Sequence, residues 1–114
     1  MNQNTENSLD LLYEAVLCLE TKEECSAFFE DLCTSLELSS MAQRMLVAKM
    51  LTDRKVYNNI AKATGASTAT ISRVNRTLNS KYSGQGYQVV IERLNRMGID
   101  TDSFNTGEEG TEEN

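Results

Sequence analysis

Gly65 sits between two short stretches whose apolar residues recur at helical spacing, in the run VYNNIAKATGASTATISRVNRTLN at residues 56–79. Ala61 lies four residues before that glycine and Ile71 six after it. Two helices crossing at a steep angle need a small residue, a turn residue and a core aliphatic at these places. Ala61 lets the helices approach, Gly65 can take the positive φ that ends the first, and Ser67 is a good N-cap for the second. Ile60, Ala61, Ile71 and Val74 then point inward. Lys55, Asn58 and Lys62 fall on or beside the first helix, and Ser67, Thr68, Ala69, Thr70, Ser72, Arg73 and Arg76 lie outward or at the edges of the second. Such a polar and cationic set suits phosphates and base edges, so the spacing predicts a helix-turn-helix whose second helix enters a DNA groove. The same pattern also suits a plain packing unit of two helices.

The rest of the chain is consistent with helices alone. Proline is absent from all 114 residues, and apolar residues recur at three- and fourfold spacing, which together predict an all-α protein of one domain. A hydrophobic fraction of 39% supports a modest core. No apolar run is long enough for a membrane span, and MNQNTENS lacks the basic and apolar regions of a signal peptide, so the expected location is cytoplasmic. Cys18, Cys25 and Cys33 lie within helical apolar stripes and are expected to be reduced core residues. With no histidine and no CxxC pair, a zinc site is not expected.

A net charge of −6 opposes nucleic-acid binding until its distribution is considered. Residues 43–96 hold ten basic residues (Arg44, Lys49, Arg54, Lys55, Lys62, Arg73, Arg76, Lys81, Arg93, Arg96) against Asp53 and Glu92, a balance of +8. Residues 1–42 set Lys22 against nine acids, and residues 97–114 carry six acids and no base. A basic face on an otherwise acidic protein has this signature.

In chain order, residues 1–7 form an expected loose tail, residues 8–98 the helical domain, and residues 99–114 an acidic tail rich in Gly, Thr and Asn that is expected to be disordered. Ser8 is the expected cap of a first helix carrying Leu9, Leu12, Tyr13, Val16 and Leu17, with Leu11, Ala15, Cys18 and Leu19 widening its apolar surface. So wide a surface needs burial on more than one side, and a second subunit would supply it. Thr21 and Glu24 form a capping box for a second helix whose Phe28 and Phe29 are expected in the core. Ser40 and Gln43 suggest a third helix running to about Thr52, with Arg44 and Lys49 projecting from it. After the helix pair, SKYSGQG reads as a turn, and Tyr87, Val90, Ile91 and Leu94 mark a last helix ending near Gly98.

With that order in place, TGASTATISRVNRTLN at residues 64–79 resembles the helix-turn-helix of the Trp repressor family, where a glycine turn leads into an A-T-I-(S/T)-R run. A weaker likeness over about residues 9–97 is similar in layout to the Trp-repressor-like YerC/YecD type of Gram-positive bacteria. The resemblance implies a six-helix fold, an intertwined homodimer and a bacterial transcription regulator, most simply a repressor, that binds a palindromic operator in double-stranded DNA. It also implies where a corepressor would sit. Arg73 matches the family's pocket arginine, Thr77 falls where the family has a serine, and the second pocket arginine aligns with Gln43, next to Arg44. Val74 departs from the pattern, since a glycine follows the matching arginine in the Trp repressor, and the added methyls crowd an indole. Tryptophan control is therefore not expected, and any small-molecule corepressor would be of another, unidentified chemistry. Asn58 replaces a family arginine, so base preference is expected to differ.

Nothing in the chain suggests an enzyme. A Cys-His or Ser-His-Asp arrangement needs a histidine, Glu23, Glu24, Glu30 and Asp31 suit the wet face of a helix, and GQG at 84–86 lacks the strand and third glycine of a nucleotide fingerprint. The competing readings are a protein-interaction module using the acidic N-terminal half, and a nonspecific architectural DNA binder.

Overall fold

The computed structural model describes residues 2–103. Six α-helices occur among them in the order α1 (Gln3–Leu17), α2 (Lys22–Leu32), α3 (Ser35–Thr52), α4 (Tyr57–Thr64), α5 (Thr68–Asn79) and α6 (Gln85–Arg96), followed by one 3-10 turn at Thr101–Ser103. No strand occurs among the described residues. The all-α, six-helix expectation holds. The chain divides into two compact units, Met1–Leu38 and Ser39–Asn114.

In the first unit, α1 starts six residues earlier than expected, with its cap at Asn2 instead of Ser8. Asn2 caps it by accepting a hydrogen bond from the Thr5 amide at 2.8 Å, so Ser8 is an interior residue and the presumed loose tail contains the first turn. Polar residues do not prevent a helix once its first amides have an acceptor. The α2 cap is as expected, with the Glu24 amide donating to Thr21 Oγ1 at 3.0 Å, while the Glu24 carboxylate accepts from the Glu20 amide at 2.8 Å. No residue of α1 or α2 is buried. Cys18 is exposed, Cys25 and Cys33 are half-buried, and all three are free thiols, which corrects their assignment to the core. Phe28 and Phe29 are likewise half-buried and meet edge to face with ring centroids 5.3 Å apart. The apolar stripes exist, but within this unit they lack a surface that covers them.

The cap of α3 also moves toward the N-terminus, from the expected Ser40 to Thr34, so that the helix begins at Ser35 and not after Ser40. Thr34 and Glu37 form the capping box: the Glu37 amide donates to Thr34 Oγ1 at 3.0 Å and the Thr34 amide to Glu37 Oε1 at 2.8 Å. Two S/T-x-x-E/Q spacings occur within ten residues, and with no breaker between them the helix uses the first.

The second unit holds the core. Val47, Ala48 and Met50 of α3 pack with Ile60 of α4, Ala66 of the turn, Ile71 and Val74 of α5, and Ile91 of α6. Met45, Leu46, Leu51, Ala61, Ala63, Leu78 and Tyr87 close around them half-buried. Helix α3 ends in a Schellman arrangement: the Lys55 amide donates to the Met50 carbonyl and the Arg54 amide to the Leu51 carbonyl, both at 3.0 Å. Arg54 sits at the left-handed position with φ 65°, where glycine is usual.

Lys49 does not project into solvent as expected. It is 6% exposed, and its Nζ donates to both carboxylate oxygens of Asp53, at 3.0 and 2.9 Å. Asp53 Oδ2 also accepts from Thr101 Oγ1 at 3.3 Å, and Thr101 is buried. A buried cation needs such a partner, and an Asp four residues on supplies it within the same helical turn. The stretch expected to be disordered from Ile99 therefore includes an anchored turn at Thr101–Ser103. Phe104 and the rest of the acidic tail, residues 104–114, lie outside the described residues.

Candidate nucleic-acid interface

The helix pair is built as its sequence suggests. Helix α4 ends when Gly65 turns into the left-handed region with φ 72°, and its amide returns to the Ala61 carbonyl at 2.8 Å. Thr64 fixes the turn from both sides, its Oγ1 donating to the Ile60 carbonyl at 2.8 Å and accepting from the Ala66 amide at 3.0 Å. Ser67 then caps α5, accepting from the Thr70 amide at 3.1 Å. Ile60, Ile71 and Val74 point inward and are buried, whereas Ala61 is half-buried.

What faces outward is a short, mixed surface. Ser67, Thr68, Ala69, Arg73 and Arg76 are exposed, while Thr70 and Ser72 are half-buried. Ala69, Arg73 and Arg76 follow at i, i+4 and i+7 and so share one helical face. Asn58 and Lys62 on α4 are exposed and Lys55 ahead of it is half-buried. Two of the polar groups are already engaged, since Ser67 Oγ also donates to Thr70 Oγ1 at 3.2 Å. Arg54 is an exposed cation two residues before Val56, the N-cap of α4. The sequence counts it among the basic residues without singling it out, because a left-handed arginine has no distinctive sequence signature.

The four expected pocket residues each have a defined local setting. Gln43 Nε2 donates to the Thr64 carbonyl at 3.1 Å and so ties the turn to α3, and Arg44 Nη1 donates to Ser40 Oγ at 3.0 Å. Thr77 Oγ1 donates to the Arg73 carbonyl at 3.2 Å. An open concavity of about 470 Å3 is lined by Met45, Thr77, Gly84, Gly86, Tyr87 and Val90, and of the four candidates it includes only Thr77. Val74 is 3% exposed and fills core space beside Ile71.

The GQG segment has a packing role. Gly84, at φ 90°, precedes α6, and a Cβ there would lie 2.5 Å from the Thr77 carbonyl oxygen. The loop folds back onto the end of α5, where Ser83 Oγ donates to the same carbonyl at 3.1 Å.

A glycine-turned helix pair, held on a third helix and closed by a fourth, with a capped and cationic second helix, defines a helix-turn-helix protein. The chain belongs to the Trp repressor family: the family model described as Trp repressor protein matches residues 7–95. It is 45% identical over 95 residues to the uncharacterized protein YerC of Bacillus subtilis (strain 168), covering 83% of this chain and 89% of that one. Its fold is similar to the crystal structure of a TrpR-like protein from Eubacterium eligens ATCC 27750, with a TM-score of 0.73, 50% identity, and coverage of 78% of this chain and 90% of the other. A second crystal structure, from Staphylococcus aureus, gives a TM-score of 0.72 at 43% identity over 88% of this chain and 98% of that one. No helix among the described residues is long and apolar enough to cross a membrane.

Proposed function

We propose that this protein is a sequence-specific DNA-binding transcriptional regulator, acting in the bacterial cytoplasm as a homodimeric repressor, and that tryptophan does not control it. The observation that carries the reading is the face of α5. Ala69, Arg73 and Arg76 stand exposed on a helix whose start is capped by Ser67 and whose opposite side is locked into the core by Ile71 and Val74. Rigid presentation matters because groove readout needs side chains placed before contact. Arg73, Arg76, Lys55, Lys62 and Arg54 supply phosphate contacts, and Asn58, Thr68, Ala69, Thr70 and Ser72 lie nearer the base edges. Membership of the Trp repressor family supports the same reading.

Fluorescence anisotropy with labelled duplex DNA tests it. A pool of genomic fragments is expected to yield a site bound at least about 10³ more tightly than random duplex. The R73A/R76A variant is expected to lose most of that affinity while keeping its helical circular dichroism. Equal affinity for every fragment would make the protein an architectural binder, and no salt-sensitive binding to any duplex would remove the DNA reading altogether.

A further inference from the structure

The chain leading into the acidic C-terminal segment is anchored at the end of α3. Thr101 is 3% exposed and bonds through its hydroxyl to Asp53, which is held in turn by Lys49. Asp102 turns the chain there, its amide donating to Asp100 Oδ1 at 3.1 Å. The anchor lies at the end of α3, one residue before the exposed Arg54 and two before Lys55, which lead into α4. Eleven residues follow Ser103 in the sequence, with Glu108, Glu109, Glu112 and Glu113 and no basic residue. Fully extended they reach at most about 36–40 Å, and the whole of α5 is only about 18 Å long.

We infer that residues 104–114 bind the basic face of their own helix-turn-helix and compete with DNA for it. The inference rests on that face being the DNA-binding surface. Charge and tethering make the competition effective. Four carboxylates tethered from a point beside Arg54 face the cations Arg54, Lys55, Lys62, Arg73 and Arg76, and a short tether holds them at an effective concentration of millimolar order. The competition is electrostatic, so it weakens as salt rises. DNA outcompetes the segment because its phosphates are denser and it gains counterion release on binding. The segment therefore removes weak, nonspecific DNA binding first and leaves tight binding to a specific site.

The test compares the full chain with the variant E108Q/E109Q/E112Q/E113Q and with E14Q/E20Q/E23Q/D31N, which removes as many charges from the N-terminal unit. At about 50 mM salt the tail variant is expected to bind random duplex at least roughly fivefold more tightly than the full chain, with the two curves converging by about 0.3 M. The N-terminal variant is expected to change affinity by less than twofold. Equal gains in both variants would reduce the effect to net charge and overturn the inference. Backbone amide shifts give a readout without DNA. Those of Arg54, Lys55 and Arg76 are expected to differ between the full chain and the tail variant at low salt and to coincide at about 0.5 M. If no variant binds DNA, the regulator reading fails and these shifts still decide where the segment sits. Identical spectra at low salt would refute it.

Discussion

Arg54 carries a cost that glycine would avoid. A non-glycine residue in the left-handed region is strained by roughly 1 kcal/mol, yet here the residue is an exposed cation beside the start of α4. Arg54→Gly is therefore expected to raise stability by about 0.5–1 kcal/mol in urea unfolding while weakening DNA binding; a drop in stability would mean that the side chain supports the fold instead. Gly84 presents the opposite case. Gly84→Ala adds a Cβ 2.5 Å from the Thr77 carbonyl oxygen at φ 90°, whereas Gly65→Ala meets no atom within 4 Å and bears only the φ penalty. The Gly84 variant is expected to lose more than the roughly 1–2 kcal/mol of a left-handed alanine, and the Gly65 variant about that amount, as read from their denaturation midpoints. Val74 makes the third residue-scale prediction. Its burial leaves core methyls where the family has a glycine, and overpacking by a ligand ring costs about 1–3 kcal/mol. Calorimetry is expected to find no tight L-tryptophan binding, and tryptophan is expected to leave DNA affinity unchanged.

Among the elements, α5 depends on its cap. Ser67→Ala removes the acceptor for the Thr70 amide and is expected to cost about 1 kcal/mol. Arg76→Ala leaves the cap intact and is expected to lower the log-log salt slope of DNA binding by about 0.9 for each phosphate that the arginine neutralises. An unchanged slope would give Arg76 another role. This helix was legible in the sequence because its signals are local and mutually consistent: Gly65 for the turn, Ser67 for the cap, Ile71 and Val74 at helical spacing. The start of α3 was harder to place, since Thr34–Glu37 and Ser40–Gln43 both fit a capping box and only the continuous helix between them decides. The fate of Lys49 depends on long-range packing. A lysine with an aspartate four residues on could as readily lie on a solvated face, and the interaction that distinguishes the two comes from Thr101, 48 residues away from Asp53. The pocket residues follow from family resemblance and not from local signals, and the Gln43 amide donates to the Thr64 carbonyl.

At the scale of the whole molecule, the two units differ in how they satisfy their apolar surface. The second unit encloses eight buried apolar residues, while Leu11, Leu17 and Leu36 remain 70, 78 and 80% exposed, with Tyr13 at 58% and Leu32 at 51%. Burying a leucine contributes about 1.5–3 kcal/mol, so α1, which carries Leu11, Tyr13 and Leu17, gains substantially from a covering surface. A second copy of the chain can present the same stripe by two-fold symmetry, which makes the interface self-complementary. The protein is accordingly expected to be a dimer at micromolar concentration by sedimentation or light scattering. The substitution L11E/L17E, made at exposed positions of α1, is expected to shift it toward monomer while leaving the core of the second unit folded. Dimerisation also predicts the shape of the DNA site. Two recognition helices related by a two-fold axis meet successive major grooves about one turn apart, roughly 34 Å, so the bound sequence is expected to be an approximate palindrome with that half-site spacing. Moving one half-site by about half a helical turn rotates it to the far side of the duplex and is expected to reduce binding to that of a single half-site. A chain that stays monomeric at micromolar concentration and unfolds cooperatively, or a site that tolerates the rotation, would replace the two-fold arrangement with binding by separate subunits.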